Sequence, residues 1–417
     1  MVLGFDPMDV GRAVDEEHHL RLQDPRASGR HAEIRWSEIQ GRYLIRDLGS
    51  RNGTYLNGTR IAREILQPGD LLRVGNTVFL FGAAQPDAAN PGLIAPPFVG
   101  RSRSLQLALD TSSRVAASDA PVLILGPTGT GKELVASWIH RASARAGPFL
   151  PVNCAALPSH LVESELFGHE KGAFSGAHQA RPGLFRAAQR GTLFLDEVGE
   201  LPADVQAKFL RVLDNGSIRP VGAAAESPVD ARVVAATNRD LAEEVERGRF
   251  RADLYARLAE CVIRLAPLRE RAEDLEPLWR HFVAELGHGA VVEPSSRAFE
   301  AMALHSWPFN VRELRQLVRT GLLLRPQGGE LSVEDLPAAM RPARPEGPAD
   351  SARALSSAVP LRLTGHVPSK RELRRLVEEF RGNVKDVAAF LGKDRKQIYR
   401  WLRRDRIDPE AYRRGDE

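Results

Sequence analysis

The chain has 417 residues, 27% of them charged, a formal net charge of +4 and only two cysteines. At about 150 residues per domain this predicts two to four domains, with three as the working number. Cys154 and Cys261 sit in ordinary apolar contexts, which excludes a disulfide framework or a cysteine metal site; both are expected to be buried and inert. Asp6 and Asp9 occupy what would be the basic and apolar part of a signal peptide, and apolar runs such as Val122–Leu125 are far too short to span a bilayer. A cytoplasmic protein with no membrane partner is expected. The charge is uneven: residues 361–417 hold sixteen Lys/Arg against ten Asp/Glu, so affinity for a polyanion is concentrated at the C-terminus.

Residues 1–83 carry alternating stretches such as Tyr43-Leu44-Ile45 and Val78–Phe81, and two Asn-Gly pairs, Asn52-Gly53 and Asn57-Gly58, flank Thr54–Leu56. Asn-Gly is the commonest tight hairpin turn because both residues tolerate positive φ, so this segment reads as an all-β sandwich. The succession Gly11-Arg12, Ser28-Gly29-Arg30-His31 and Leu48-Gly49-Ser50-Arg51-Asn52-Gly53-Thr54 resembles a forkhead-associated domain over residues 10–82. The resemblance implies a reader of a phosphothreonine protein or peptide. Arg12 and Ser28 match the residues that bind phosphate oxygens, Arg51 is a further phosphate contact, and Asn52 matches the residue that holds the peptide backbone. His31 matches a structural residue. A guanidinium fork suits phosphate geometry. Gly29 departs from the usual Arg, and the ten residues before Gly11 are fewer than the family's first two strands need, so the expectation is an edge left open or a start that lies upstream. The alternative use for such a domain is oligomer contact alone. Ala83–Pro97, with four prolines and no amphipathic period, reads as a tether.

The next segment, 98–340, holds two halves of a nucleotide site. Val122–Leu125 is a short buried strand, Gly126-Pro127-Thr128-Gly129-Thr130-Gly131-Lys132-Glu133 follows, and Leu134, Val135 and Ile139 are expected on one helix face. Strand, glycine loop and helix in that order form a phosphate cradle in which Lys132 reaches the β/γ oxygens. Glu133 replaces the usual Ser/Thr, so magnesium cannot be held by a hydroxyl there. Downstream, Leu193-Phe194-Leu195 ends in Asp196, the expected magnesium ligand, and Glu197, the expected base that polarises water.

Between the halves lies Glu165-Leu-Phe-Gly-His-Glu-Lys-Gly-Ala-Phe-Ser-Gly-Ala177. This stretch, with the nucleotide motifs, resembles the AAA+ domain of bacterial sigma-54-dependent transcription activators, whose loop reads Gly-Ala-Phe-Thr-Gly-Ala and which share the Glu after the lysine. Here Ser175 replaces the Thr. The resemblance implies that Phe174 and Ser175 contact sigma-54, with Gly172 and Gly176 permitting a reversible tip. It implies that Asn238 senses the γ-phosphate, that Asn153 holds Glu197 inactive until a signal arrives, and that Arg251 and Arg257 act as arginine fingers across a ring, expected to be a hexamer. From the residues alone Asn153 reads equally well as a strand-end turn. In the lid that follows, Trp307-Pro-Phe-Asn-Val-Arg312 matches a second sensor, Arg312, with Phe309 where the family has Gly.

A second tether, 341–360, precedes the last unit, 368–415. There Leu373, Leu376, Val377 and Phe380, then Val384, Val387, Ala388 and Leu391, repeat at i, i+3, i+4 and i+7. A third helix begins near Asp394 with Gln397 as a capping-box partner and buries Ile398, Trp401 and Leu402. Between Lys393 and Arg406 stand seven basic and two acidic residues, so the expectation is an all-α helix-turn-helix on double-stranded DNA, similar to the Fis-type unit of these activators. Arg395, Lys396, Gln397, Tyr399 and Arg400 would face bases; Arg403, Arg404 and Arg406 would meet phosphate. The expected whole is an ATP- and magnesium-dependent ATPase that remodels sigma-54 RNA polymerase holoenzyme under phosphothreonine control; the alternative is a DNA-binding regulator using ATP only to assemble.

Overall fold

The computed structural model describes residues 3, 6–15, 19–38, 40–82, 97–175, 177–341, 368–380, 382–391 and 393–412. Both proposed tethers, apart from Pro97 and Arg341, and the loop residue Gly176 lie outside the described residues. Two compact units divide the chain, Met1–Pro342 and Ala343–Glu417.

The first unit opens with nine short strands: β1 (Met8–Gly11), β2 (Leu20–Arg21), β3 (Ala32–Ser37), β4 (Arg42–Asp47), β5 (Thr54–Leu56), β6 (Thr59–Ile61), β7 (Arg63–Ile65), β8 (Leu71–Val74) and β9 (Thr77–Leu80). They make two sheets, ordered β2-β1-β3-β4-β7 and β6-β5-β8-β9. Val10, Ile34, Ile45, Leu56, Leu72 and Val74 fill the space between them. Only one of the two Asn-Gly pairs is a hairpin turn. Asn57-Gly58, with φ of 49° and 79°, joins the paired strands β5 and β6, as a type I′ turn requires. Asn52-Gly53 instead lies in a loop whose flanking strands β4 and β5 belong to different sheets. Its Asn side chain is committed elsewhere, to Arg26 O.

A parallel sheet follows, built from β10 (Val122–Leu125), β11 (Phe149–Asn153), β14 (Thr192–Asp196), β17 (Arg232–Thr237) and β18 (Val262–Arg264) in the order β11-β14-β17-β10-β18. Its strands are near-continuous apolar runs because both faces are covered. On one face α1 (Arg103–Ala116) and α2 (Lys132–Ala142) pack through Leu105, Leu109, Val135, Ala136 and Ile139. Leu134 does not share that face and is exposed: one residue advances a helix by about 100°, which turns it away from its neighbour. On the other face lie α3 (Val162–Phe167), α4 (Leu184–Ala187), α5 (Ala203–Asn215), α6 (Leu241–Glu246) and α7 (Ala252–Leu258), around Phe167, Phe185 and Phe209. Two hairpin-like pairs project from this layer, β12 (Gly168–His169) with β13 (Arg181–Pro182) and β15 (Ser217–Ile218) with β16 (Ser227–Pro228).

The helical lid comprises α8 (Leu275–Leu286), α9 (Ser296–Leu304) and α10 (Asn310–Leu324), with a small parallel pair, β19 (Val292–Pro294) and β20 (Gly329–Leu331). Trp279 and Trp307 are buried in it, and each indole N–H is satisfied, by Val292 O at 2.8 Å and Met302 O at 2.9 Å. The second unit holds α11 (Lys370–Glu379), α12 (Val384–Leu391) and α13 (Arg395–Asp405) around Leu373, Leu376, Val377, Val387, Ile398, Trp401 and Leu402. No helix among the described residues is long and apolar enough to cross a membrane.

Candidate functional site

The carboxyl ends of β10, β14 and β17 converge, the place where open α/β sheets bind ligands. From β10 the chain turns through Gly129 and Gly131, at φ of 80° and 104°, values that a side chain would oppose. Thr130 Oγ1 pins the turn on Pro127 O at 2.8 Å, and Gly131 caps α2, so backbone N–H groups gather at a helix N-terminus. Lys132 is only 7% exposed; its Nζ donates to Gly126 O at 3.0 Å and lies 3.7 Å from Glu197 Oε1. Glu133 is exposed.

Asp196 and Glu197 close β14. Burial pushes the Asp196 carboxyl above its usual range; Lys132 works against that and the Glu197 charge adds to it. Glu197 sits at φ 53°, a left-handed conformation uncommon for its type and frequent at functional sites. Its carboxylate accepts from Asn238 N at 3.2 Å and Thr237 Oγ1 at 3.3 Å, while Asn238 Nδ2 donates to Thr128 Oγ1 at 3.0 Å. Asn238 therefore bridges Glu197 and the glycine loop. Asn153 does not reach Glu197. It lies beside Asp196 in the β11–β14 register, and its Oδ1 accepts from Ala155 N at 2.9 Å, the turn-capping role. Thr237, which sequence reading left out, holds Glu197 here together with Asn238 N and Lys132.

The lid meets the cradle directly. Val311 N donates to Gly129 O at 3.0 Å, Asn310 Nδ2 to Thr128 O at 2.9 Å, and buried Arg271 Nη2 to Thr130 O at 3.2 Å. A β-carbon on Gly129 would land on Phe309 O and beside Arg312 Cβ, so Arg312 stands at the rim of the loop. Phe309 in place of the family's Gly is accommodated: it is exposed at φ −109°, and the positive φ values fall on Trp307 and Asn310 instead.

Arg251 and Arg257 are outside the pocket of their own chain. Arg251 is paired with Asp253 at 2.7 Å, and Arg257 with Asp214 at 3.3 Å and with Glu260. Arg251 is exposed at the N-cap of α7 and Arg257 is half-buried in its last turn, while the helix buries Leu254 and Leu258.

Phe174 lies between β12 and β13, outside the sheet core and 38% exposed. Its ring stands edge-on to His169, centroids 5.0 Å apart. His169 is fixed in turn by Ser164 Oγ at 2.6 Å and Gln179 O at 3.0 Å. The loop is tied to its neighbour, since Glu170 N donates to Val221 O and Val221 N to Gly168 O, and Gly222 abuts Ala173. Gly172 has φ 85°; Ser175 is the last described residue of the tip.

In the sandwich, Arg12, Ser28, Arg51 and Asn52 come together. Arg12 N donates to Ser28 O at 2.9 Å, Arg51 N to Ser28 Oγ at 3.1 Å and Asn52 Nδ2 to Arg26 O at 2.6 Å. Gly11 is required because a β-carbon there would strike Gly29 O. His31 is fully buried and holds Ser28 N and Gly53 O through its two ring nitrogens, a structural role as expected. Asp47, which the sequence did not single out, organises the Arg51-Asn52 loop. Burial alone would raise its carboxyl, yet hydrogen bonds from Ser50, Thr54 and the backbone of Ser50 and Gly49 hold it below the usual range.

Family models match three stretches: a Sigma-54 interaction domain over residues 98–264, an FHA domain over 8–75 and an AAA+ ATPase lid domain over 269–353. The chain is 46% identical over 266 residues to the DNA-binding transcriptional regulator NtrC of Rhizobium meliloti, covering 63% of this chain and 55% of that one. It is 50% identical over 215 residues to the Sigma54-dependent transcriptional activator SfnR of Pseudomonas putida, covering 50% and 58%. Among solved structures, NtrX from Brucella abortus in complex with ATP is similar at 31% identity and a TM-score of 0.54, covering 75% of this chain and 69% of that one. The chain belongs to the sigma-54 activator family. It spans about half to two thirds of the length of the curated relatives it matches.

In this family member, magnesium fits the donors present. Among the described residues no three His, Cys, Asp or Glu gather as a metal site. Asp196 and Glu197 offer carboxylates at the loop's edge, which suits a cation that takes one or two carboxylates and completes its shell with phosphate oxygens and water. Cys154, just behind, is buried and its thiol is pushed up to about 12 by burial and by the Asp196 and Glu197 charges; Cys261 is half-buried rather than buried.

The last helix of the second unit, α13, starts at Asp394, whose side chain accepts from Lys396 N at 2.9 Å; the cap uses that N–H, where the sequence suggested a reciprocal box with Gln397. Ile398, Trp401 and Leu402 face inward, as the spacing predicts. Arg395, Lys396, Tyr399, Arg400, Arg403 and Arg406 are exposed and Gln397 half-buried, while Arg404 is paired with Asp405 and reaches Pro368 O. Arg404 is thus partly committed within its own unit.

Proposed function

We propose that this protein is an ATP-driven activator that binds enhancer DNA, assembles into a ring, most simply a hexamer, and opens the promoter complex of sigma-54 RNA polymerase under phosphothreonine control. The observation that carries the reading is Phe174: an apolar ring left partly exposed on an insertion between the two halves of a nucleotide site. The ring is 38% exposed at a loop tip and meets the edge of His169, a position from which it can contact a partner.

In the hydrolytic step, Lys132 and the N–H groups of Gly129–Lys132 hold the β- and γ-phosphates, and Asn238 and Arg312 follow the γ-phosphate. Bound magnesium would supply charge neutralisation between those phosphates, with Asp196 as its protein ligand. Glu197 orients and polarises the attacking water once it leaves Thr237 and Asn238 N. Arg251 and Arg257 complete the site of the neighbouring subunit after exchanging Asp253, Asp214 and Glu260 for phosphate oxygens. The cycle moves the insertion, and Phe174 and Ser175 deliver that motion to sigma-54.

Arg12, Ser28 and Arg51 receive the phosphothreonine phosphate, and Asn52 the peptide backbone. Arg395, Lys396, Gln397, Tyr399 and Arg400 read bases, with Arg403 and Arg404 on phosphate; Arg406 is a further phosphate contact.

The deciding experiment uses Phe174→Ala in the full-length protein. ATPase activity, ring assembly and DNA binding should stay near normal, while capture of sigma-54 with a transition-state nucleotide analogue and conversion of closed to open promoter complex are lost. Ser175→Thr should preserve or strengthen capture. A Phe174→Ala protein that still opens the promoter would refute the reading. Loss of ATPase activity and thermal stability together would mean a packing role, since core truncations of that size cost about 3–5 kcal/mol.

A further inference from the structure

One buried ion pair takes no part in any chemistry above. Arg73 of β8 and Glu300 of α9 are 227 residues apart in sequence, yet Nε donates to Oε2 at 2.7 Å, with the side chains 11% and 7% exposed. Arg73 also lies over the Tyr55 ring, 3.9 Å from its centroid, and donates through Nη1 to Gly75 O at 3.3 Å. The second oxygen of Glu300 is buried without a hydrogen-bond partner. Two desolvated charges are costly unless each has the other, so such a pair specifies one geometry and punishes departures from it. Around it β8 and β9 pack on α9, and a side chain at Gly58 would press on Leu304 at the end of that helix.

Each end of the pair runs into a site. On the sandwich side, Gly75 packs against the buried carboxylate of Asp24, whose Oδ2 accepts from Asn76 N at 2.6 Å and whose Oδ1 accepts from Arg26 N at 2.9 Å. The Arg26 carbonyl is the acceptor of Asn52 Nδ2. On the lid side, α9 leads into His305, which bonds Glu313 at 2.9 Å; the same Glu313 accepts from Phe309 N at 3.1 Å, next to Asn310 and Val311 on the glycine loop. Hydrogen bonds and short chain segments therefore connect Asn52 to Thr128 and Gly129 through Arg73 and Glu300.

We propose that the β8–β9 face of the sandwich is the docking surface for this chain's own lid, and that Arg73 and Glu300 are the strut by which peptide occupancy sets the lid's position over the nucleotide. The ligand rests on the phosphothreonine reading above; the docking does not. A peptide backbone that takes the Asn52 amide away from Arg26 O loosens the Asp24 loop, and with it Gly75, the second acceptor of Arg73. The lid then loses or regains an anchor at α9, which residues 305–309 join to α10 and its Arg312.

The test is a charge swap in the full-length protein: Arg73→Glu, Glu300→Arg and the two together, with Glu300→Gln as a variant that keeps volume and one acceptor. Hydrogen exchange should rise in both 71–74 and 296–304 in each single variant and fall back in the double. ATP turnover should shift by about fivefold or more, in the same direction in both single variants, and return in the double. Turnover unchanged in the single variants, or faster exchange confined to the mutated segment, overturns the strut. A phosphothreonine peptide should move wild-type turnover in the direction of the single variants and leave those variants unmoved. A peptide that binds the wild type by calorimetry without changing turnover also overturns it. If no phosphothreonine peptide binds, the reader hypothesis falls alone, and the charge swap still decides the strut.

Discussion

In the nucleotide cleft the cation proposed to hold phosphate is buried, while in the sandwich the guanidiniums proposed for that role stand in water. Lys132 is already engaged by Gly126 O and Glu197, with a helix N-terminus beside it. Arg12 and Arg51 are exposed, and what is fixed is their backbone, through Ser28. The cleft has prearranged its dipoles in a low-dielectric site, where each is worth more and little reorganisation remains at the moment of reaction. The sandwich has prearranged only the loops, and its guanidiniums must be ordered by the ligand, which favours a contact that is reversible and sensitive to salt. On the proposed function, the same anion would be met by machinery suited to turnover in one region and to sensing in the other.

The comparison breaks first if the cleft is complete within one chain. Removing Arg251 or Arg257 should then do nothing, whereas the expected outcome is a loss of roughly a thousandfold in ATP turnover, as for other arginine fingers. Specific activity should also rise with protein concentration in the wild type; a flat rate from a verified monomer contradicts the ring. Next in size, Glu197→Gln should bind ATP yet hydrolyse it about a hundredfold or more slowly, and Lys132→Ala should lose binding in a filter or calorimetric assay. Wild-type turnover in Glu197→Gln removes the proposed base.

In the sandwich the effects should be smaller. Arg12→Ala forfeits a charge-assisted hydrogen bond worth about 1.5–3 kcal/mol, so its preference for phosphothreonine over threonine peptide should fall at least tenfold, and raised salt should weaken the wild type likewise. Retained preference in Arg12→Ala returns the domain to a structural role. The smallest change is expected from Asp47→Asn, which loosens the Arg51 loop and leaves every guanidinium in place. Because the folded-state value of Asp47 is lowered, its contribution is complete above the ordinary carboxylate range and is lost as pH falls through the lowered value. The loop should therefore hold at pH 5, and the Asp47→Asn defect should be the same at pH 5 and pH 8.

What could be read from the sequence was what is local along the chain. Gly126–Lys132 and Leu193–Glu197 announce themselves because the glycine turn and the strand-end acids are contiguous, and the core of the second unit follows from the i, i+3, i+4, i+7 spacing of Leu373 through Leu402. Partners across space were not legible. Thr237 holds Glu197 only because β17 lies beside β14, and Arg271 supports Thr130 from 141 residues away. Asn52-Gly53 carried a hairpin signal, yet an Asn whose amide has a tertiary acceptor need not make a turn. Asn153 was ambiguous by its residue type, since an Asn at a strand end can cap its own backbone as readily as face a neighbour.

Gly129 and Phe309 meet backbone to backbone, and Val311 N and Asn310 Nδ2 close the joint from the lid side. A joint of this kind behaves as a latch. On the proposed function, spent nucleotide would leave either by opening of the latch or by sliding out along the rim. Opening the latch breaks these two hydrogen bonds and that of Arg271 to Thr130 O, so in the proposed cycle the waiting time before the next ATP would be set by the fastening of the lid. The clock of the proposed motor would then be kept at Thr128 and Gly129, and the stroke at Phe174.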